Sequence, residues 1–296
     1  MSRLLANAIL LSAGAIWGMG FVAQSTAMTS IGPFLFVGLR FLVATLVTLP
    51  FALAEGRAKG AAALPCNRGF LLAGLALFGG MIFQQIGLVT TTVTNSGFLT
   101  GLYVVFVPVL MTLFLRQPPH PVVWPGAALA FAGLYLLSGG ALVSMRIGDV
   151  LTVVAALFWA VQVILVGRHA VESGRPVALA FVQFLVCAVL GLASAILLEP
   201  IDWMSVRAAL PEILYAGAVA SAVAFTLQAI GQRHAAPATA AILLSTEALF
   251  AAFFGALLLG ESVGAAGYLG GLLIFLAILA IEIVPLRRRT RIAAEG

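Results

Sequence analysis

The sequence predicts an all-α integral membrane protein of ten transmembrane helices, built as two inverted five-helix repeats with both termini cytoplasmic. Three observations carry that expectation. The 296 residues are 62% hydrophobic and only 8% charged, with a mean hydropathy of +1.16, whereas a soluble domain carries about 25% charged residues. Apolar residues gather in ten runs of spanning length, and the second half of the chain echoes the first at a nearly constant shift. Such a chain cannot cover a globular surface with charge, so lipid has to be its solvent.

A spanning helix needs about 20 mostly apolar residues. The first run, 4–25, follows Arg3 and looks at first like a signal peptide, but it continues past Trp17 to Val22 with no soluble segment behind it, which predicts a retained first helix. The others are 33–54, 69–89, 94–115, 122–141, 148–168, 177–198, 209–231, 237–259 and 264–284. Pro33, Pro125, Pro176, Pro211 and Pro237 stand at or near helix starts, where a missing N–H costs little. Pro108 lies well inside the fourth run, where it is expected to bend the helix and is a candidate hinge.

Lys and Arg placement sets the orientation. With the N-terminus inside, cytoplasmic segments hold twelve basic residues, from Arg3 through Arg57, Arg116, Arg168 and Arg233 to the terminal RRRTR, against Arg146 and Arg207 outside. That asymmetry follows the positive-inside rule. The net charge of +5 therefore reads as orientation and contact with anionic lipid. No basic patch interleaved with aromatics points to nucleic acid. Cys66, in a loop, and Cys187, in an apolar run, imply neither a disulfide framework nor a zinc pattern.

The repeat is visible in short stretches. AIWGMG (15–20) is echoed by ALFWAV (156–161), GPFLFVGLRF (32–41) by RPVALAFVQF (175–184), and QQIG (84–87) by QAIG (228–231). The shifts are 142, 143 and 144. This predicts repeats over 1–143 and 144–296, and because five is odd the second copy must lie inverted. Inverted repeats are an architecture of secondary transporters, with the substrate site near mid-membrane between the copies.

The fourth and ninth runs, TTTVTNSGFLTGLYVVFVPVLMTLFL (90–115) and APATAAILLSTEALFAAFFGALLLGES (236–262), resemble the EamA-type members of the drug/metabolite transporter superfamily. The resemblance covers essentially the whole chain, and Glu247 with the Gly260–Glu261 pair is its most specific part. Ala248 stands where that family usually has Pro, and Arg116–Gln117 replaces Gly–Glu, so no role is carried over for that first-half pair. The resemblance implies export of amino acids or other small metabolites, with the aromatic and broad amino-acid exporters of the YddG type closest.

Residue depth supplies the candidates. Trp17 and Trp159 lie near mid-span rather than in the interfacial belt, which suits Trp124 and Trp203. With Phe21, Phe83 and Tyr103 they are the expected aromatic walls of a substrate cavity, and Gln85, Gln162 and Gln228 the expected hydrogen-bonding groups. Glutamines in membrane helices also bridge helices, and two large tryptophans also fill cores. Glu247, at mid-depth, is the candidate for proton or cation coupling or for binding an amine, because a charge there is costly enough to need a reason; it reads equally as a structural acid hydrogen-bonded to a neighbouring helix. Arg40, about eight residues from the outer end of its span, is long enough to snorkel to the surface and is also a candidate carboxylate contact. Gly97-xxx-Gly101 reads as a helix-packing face, and Glu261 and Glu282, at helix ends, as solvated.

The resulting expectation is a multi-pass inner-membrane exporter of amino acids or similar small metabolites, broad in specificity, working by alternating access with no cofactor or metal. Its partners are a small-molecule substrate and the bilayer, and a monomer is compatible with the pattern. The alternatives are cationic drugs or nucleotide-like metabolites on the same fold, and a membrane-embedded enzyme, for which the short, plain loops supply no polar cluster. The absence of a G-x-x-x-x-G-K-[S/T] motif argues against direct use of ATP.

Overall fold

The computed structural model describes residues 1–60, 67–137, 146–262 and 264–295. Cys66 and the expected repeat boundary at 143–144 lie outside them. The described residues form helices and no strand, as a backbone surrounded by hydrocarbon requires, since each helix satisfies its own N–H and C=O groups. In chain order the helices are α1 (Arg3–Ala27), α2 (Pro33–Ala58), α3 (Arg68–Gly87), α4 (Val93–Leu113), α5 (Val123–Leu137), α6 (Ile147–Ser173), α7 (Pro176–Leu198), α8 (Leu210–Gln232), α9 (Pro237–Leu259) and α10 (Ala265–Glu295). Eight are long and apolar enough to cross a membrane, while α5 and the apolar part of α10, Ala265–Ala280, are shorter. The expected last turn of α5, at 138–141, falls outside the described residues.

The packing is symmetric between the halves. Helix α2 packs on α7, α5 on α10 and α4 on α9, while α3 packs on α6 and α7, and α1 and α2 pack on α8. Helix α1 also packs on α9, and α4 on α6. Exchanging the first five helices for the last five carries each of these pairs onto one that is also present.

The α2–α7 crossing is close because both helices present glycine. A Cβ on Gly191 would stand 2.7 Å from the Cα of Gly38, and one on Gly38 would stand 2.7 Å from the Leu192 nitrogen. The ends of the pair are tied reciprocally. Glu199, just past α7, accepts from the Phe34 and Leu35 N–H groups at the start of α2 (2.9 and 2.8 Å). Glu55, late in α2, accepts from Val177 and Ala178 at the start of α7 (3.3 and 2.9 Å). Each carboxylate satisfies N–H groups that a helix cannot bond internally and meets the positive end of its dipole.

Glu261 serves α4 in the same way, accepting from the Val93 and Thr94 N–H groups (2.9 and 3.0 Å) and from the Thr94 hydroxyl. It is half-buried rather than solvated, because the unpaired start of α4 needs an acceptor. Gly97 does lie on a packing face, with its Cβ position 3.0 Å from Ala251. Between α7 and α8, Asp202 caps the short helix Trp203–Ala208, and the Ser205 hydroxyl and N–H, with the Met204 N–H, hold its carboxyl below the usual range.

Three local departures from α geometry matter for function. Helix α4 breaks at Gly101–Leu102 and α9 at Ser245–Thr246, positions related by the repeat shift of 144. Both breaks are single tight turns of i→i+3 bonds, such as Val104 N–H to the Gly101 carbonyl (3.0 Å) and Ala248 N–H to the Ser245 carbonyl (3.2 Å). These breaks are separate from Pro108: the second segment of α4, Tyr103–Leu113, runs through Pro108, and α9 breaks at the equivalent place with Ala252 where α4 has proline. The third departure is a π-helical stretch in α8, Tyr215–Val223.

Replacing Glu199 by Ala is expected to cost about 1 kcal/mol of stability, the typical loss for a removed helix cap, with Gln recovering part of it. Thermal unfolding of the detergent-solubilised protein checks this.

Candidate functional site

The aromatic and polar residues of α1, α2, α3, α4, α6, α8 and α9 converge on one cavity between the two halves of the bundle. Trp17 and Phe21 enter from α1, Tyr103 from α4 and Trp159 from α6. Gln228 of α8, Glu247 of α9 and Arg40 of α2 complete the expected residues that line it. Gln24, Met81, Gln84, Val163, Phe225 and Leu244 line it as well.

Phe225 is the hub of the aromatic wall. Its ring is stacked on Trp159 (5.7 Å between centroids, 7° between planes) and tilted against Trp17 (4.6 Å, 50°). The two tryptophans nevertheless differ. The Trp17 indole N–H donates to the Ala220 carbonyl at 2.9 Å, in the π-helical stretch. The buried Trp159 Nε1 has no partner. The exposed Trp124 and Trp203, 41% and 76% accessible, contrast with Trp159 at 6%.

The two charged residues in the wall are both buried. Arg40 donates through Nε and Nη2 to the Ser221 hydroxyl (3.1 and 2.9 Å), through Nη1 to Gln24 Oε1 (2.8 Å), and through Nη2 to the Ala216 carbonyl at 3.4 Å. Its guanidinium also lies over Phe41 and Phe36, at 5.2 and 5.7 Å from the ring centroids. Glu247 begins the second segment of α9, directly after the break, and Tyr103 begins the second segment of α4. Their side chains are neighbours, yet Tyr103 Oη and Glu247 Oε1 both lack a hydrogen bond of ordinary geometry. Three unpartnered polar atoms thus belong to residues lining the cavity. In a native interior such atoms are uncommon and call for an explanation.

Phe83, Gln85 and Gln162 are not brought into the wall. Phe83 stacks on Phe158, 5.6 Å between centroids, on another face of α3. Gln85 donates to the Gln24 carbonyl at 3.2 Å. Gln162 donates to Gln183 Oε1 (2.9 Å) and exchanges bonds with Gln228 (3.3 and 3.0 Å), bridging α6, α7 and α8. Helix bridging thus describes Gln85 and Gln162, while Gln228 both bridges and lines the cavity.

The family model for EamA-like transporters matches the chain twice, over residues 4–139 and 146–283. The chain belongs to the EamA-like transporter family. As an EamA-like protein it is a multi-pass membrane transporter of small solutes, and its two matched copies correspond to the two symmetric halves of the helix bundle. It is similar to an uncharacterized transporter of Archaeoglobus fulgidus, 32% identical over 283 residues, 96% of this chain and 87% of that one. It also resembles the uncharacterized inner membrane transporter YedA of Escherichia coli K12, 26% identical over 274 residues, covering 89% and 86% of the two chains. A solved crystal structure superposes with a TM-score of 0.76 at 20% identity, covering 98% of this chain and 99% of that one, a likeness of fold.

The EamA-like repeat also relates most of the lining residues that depth and residue type did not single out. Trp17 and Trp159 are related by the shift of 142, and so are Phe21 and Val163. Met81 and Phe225, Gln84 and Gln228, and Tyr103 and Glu247 are each related by 144. Applying the shift to each candidate would have found Val163 from Phe21 and Gln84 from Gln228. Gln24, Arg40 and Leu244 have no partner in the wall.

Phe225→Ala is expected to destabilise the protein by about 3–5 kcal/mol, because it empties the position against which both tryptophans pack. Phe225→Leu should cost less, and thermal unfolding of the purified protein distinguishes the two.

Proposed function

We propose that the protein is a secondary transporter that exports amino acids or related small metabolites across a bacterial-type inner membrane by alternating access. The observation that carries this reading is the cavity between the halves, where the unpartnered Trp159 Nε1, Tyr103 Oη and Glu247 Oε1 are set beside an aromatic wall. Donors and acceptors left unpaired in a dry interior are matched by a polar substrate entering it. Apolar and aromatic walls discriminate one methylene by only about 1–3 kcal/mol, so broad specificity for the side chain follows.

Alternating access is supported by the symmetric pairing of α1–α5 with α6–α10. In this reading residues 1–143 and 144–296 are inverted copies with both termini cytoplasmic, and the paired breaks in α4 and α9 are where the copies exchange shape. Arg40 and the tryptophans contact the substrate, and Glu247 is the coupling carboxylate. The unpaired oxygen of Glu247 also favours a second reading on the same fold, efflux of lipophilic cations.

Counterflow into proteoliposomes with labelled aromatic and aliphatic amino acids is the deciding experiment. Saturable exchange of several of them is expected, and its absence for all would remove the amino-acid assignment while leaving the fold. Trp17→Ala is expected to lower exchange far more than it lowers the amount of folded protein recovered. An imposed pH gradient is expected to drive uphill movement of substrate in the native protein and not in Glu247→Gln. Loss of cation efflux in that variant, with no amino-acid exchange in either protein, would favour the second reading.

A further inference from the structure

The cavity has a twofold frame with charge at only two positions of its wall. Four of its repeat-related pairs match in kind: Trp17 with Trp159, Phe21 with Val163, Met81 with Phe225, and Gln84 with Gln228. The charged positions break the match. The counterpart of Glu247 is Tyr103, and the counterpart of Arg40, at a shift of 143, is Gln183. Each half therefore contributes one charge, of opposite sign, where its twin carries a neutral polar side chain.

Neither group has an ionic partner among the described residues. Among the described residues no carboxylate pairs with Arg40. Its partners are the neutral Gln24, Ser221 and Ala216 oxygens, and these contacts use one of its two Nη1 hydrogens, leaving the other free from the five that a guanidinium carries. Among the same residues no cation pairs with Glu247, and its Oε1 is buried without a partner. The two charges line one cavity and form no ion pair with each other. Buried charges without counter-ions are strongly unfavourable, and intramembrane ionisable groups mark substrate or ion sites.

We propose that the cavity holds its substrate by both ends as a zwitterion. The carboxylate lies on Arg40, whose guanidinium is oriented by Gln24 and Ser221, the ammonium lies on Glu247 beside Tyr103, and the side chain rests against Trp17, Phe225 and Trp159. The inference rests on the amino-acid reading and sharpens it. Selectivity resides in the two main-chain charges, because a substrate lacking one of them leaves the matching pole buried and unpaired. The side chain meets only rings and methyl groups and is read loosely.

Three labelled analogues test this in the native protein: phenylalanine, phenylalaninamide, which lacks the carboxylate, and 3-phenylpropionate, which lacks the ammonium. Uptake is measured by counterflow and corrected against protein-free liposomes. Phenylalanine is expected to exceed each analogue by about tenfold or more, in line with sites built to bond a group that the analogue lacks. Arg40→Gln, which installs the residue of the other half, is expected to reduce the ratio of phenylalanine to phenylalaninamide. Glu247→Gln is expected to reduce the ratio of phenylalanine to 3-phenylpropionate. Ratios do not depend on how much protein folds, and the comparison in the native protein needs no variant.

Equal transport of phenylalanine and its amide would overturn the pole at Arg40. Equal transport of phenylalanine and 3-phenylpropionate would overturn the pole at Glu247. Either result leaves amino-acid export standing. Unchanged ratios in the variants would make both residues scaffolding and overturn the inference. No exchange of any amino acid by folded protein would remove the parent reading and this inference with it.

Discussion

The close crossing of α2 and α7 is the contact on which the rest of the bundle depends. Glycines at 38 and 191 let the two backbones approach to a distance that any side chain would prevent, and in lipid such close packing is the main force available between helices. Glu55 and Glu199 then fix the ends of the pair, each bonding to the start of the opposite helix. Arg40 is two residues beyond Gly38 on α2. Its reach to the π-helical stretch of α8 and to Gln24 of α1 is a consequence of where that crossing holds α2.

The π-helical stretch makes the two halves chemically unequal. Its wider turn presents the Ala216 and Ala220 carbonyls and the Ser221 hydroxyl to Arg40 and Trp17. π-Helical turns are rare and concentrate at functional sites. The corresponding part of α3 is regular α-helix, and on that side Trp159 keeps an unpartnered N–H. One tryptophan is thereby held as a fixed wall, while its twin retains a donor. The frame of the cavity is thus twofold while its contents are unequal.

Much of the architecture was legible in the residues. Every apolar run corresponds to a helix, because hydrocarbon leaves the backbone no other way to satisfy its polar groups. The cavity was legible in part. Trp17, Phe21, Tyr103, Trp159 and Gln228, with Arg40 and Glu247, were expected there and line it. Depth in the span places a residue along the helix axis but leaves open which way it faces. Phe83, two residues from Met81, therefore stacks on Phe158 outside the wall, and Gln162 turns to Gln183. Pro108 was expected to bend α4 on local grounds; the break at Gly101–Leu102 is a separate feature, and it recurs in α9, which has Ala252 in place of the proline. It belongs to the repeated position, not to one residue.

The sequence by itself determined that the chain lives in lipid, that it is helical, and that it consists of two related halves. These follow from composition and periodicity, which act locally and along the chain. Only the tertiary structure decided which buried polar groups find partners and which face the cavity. Gln162 and Glu261 were absorbed into helix–helix ties, while Tyr103, Trp159 and Glu247 kept atoms unsatisfied in the cavity wall. That division is set by the rotation of each helix against its neighbours, and so by steric contacts such as Gly38 with Gly191, between residues far apart in the chain.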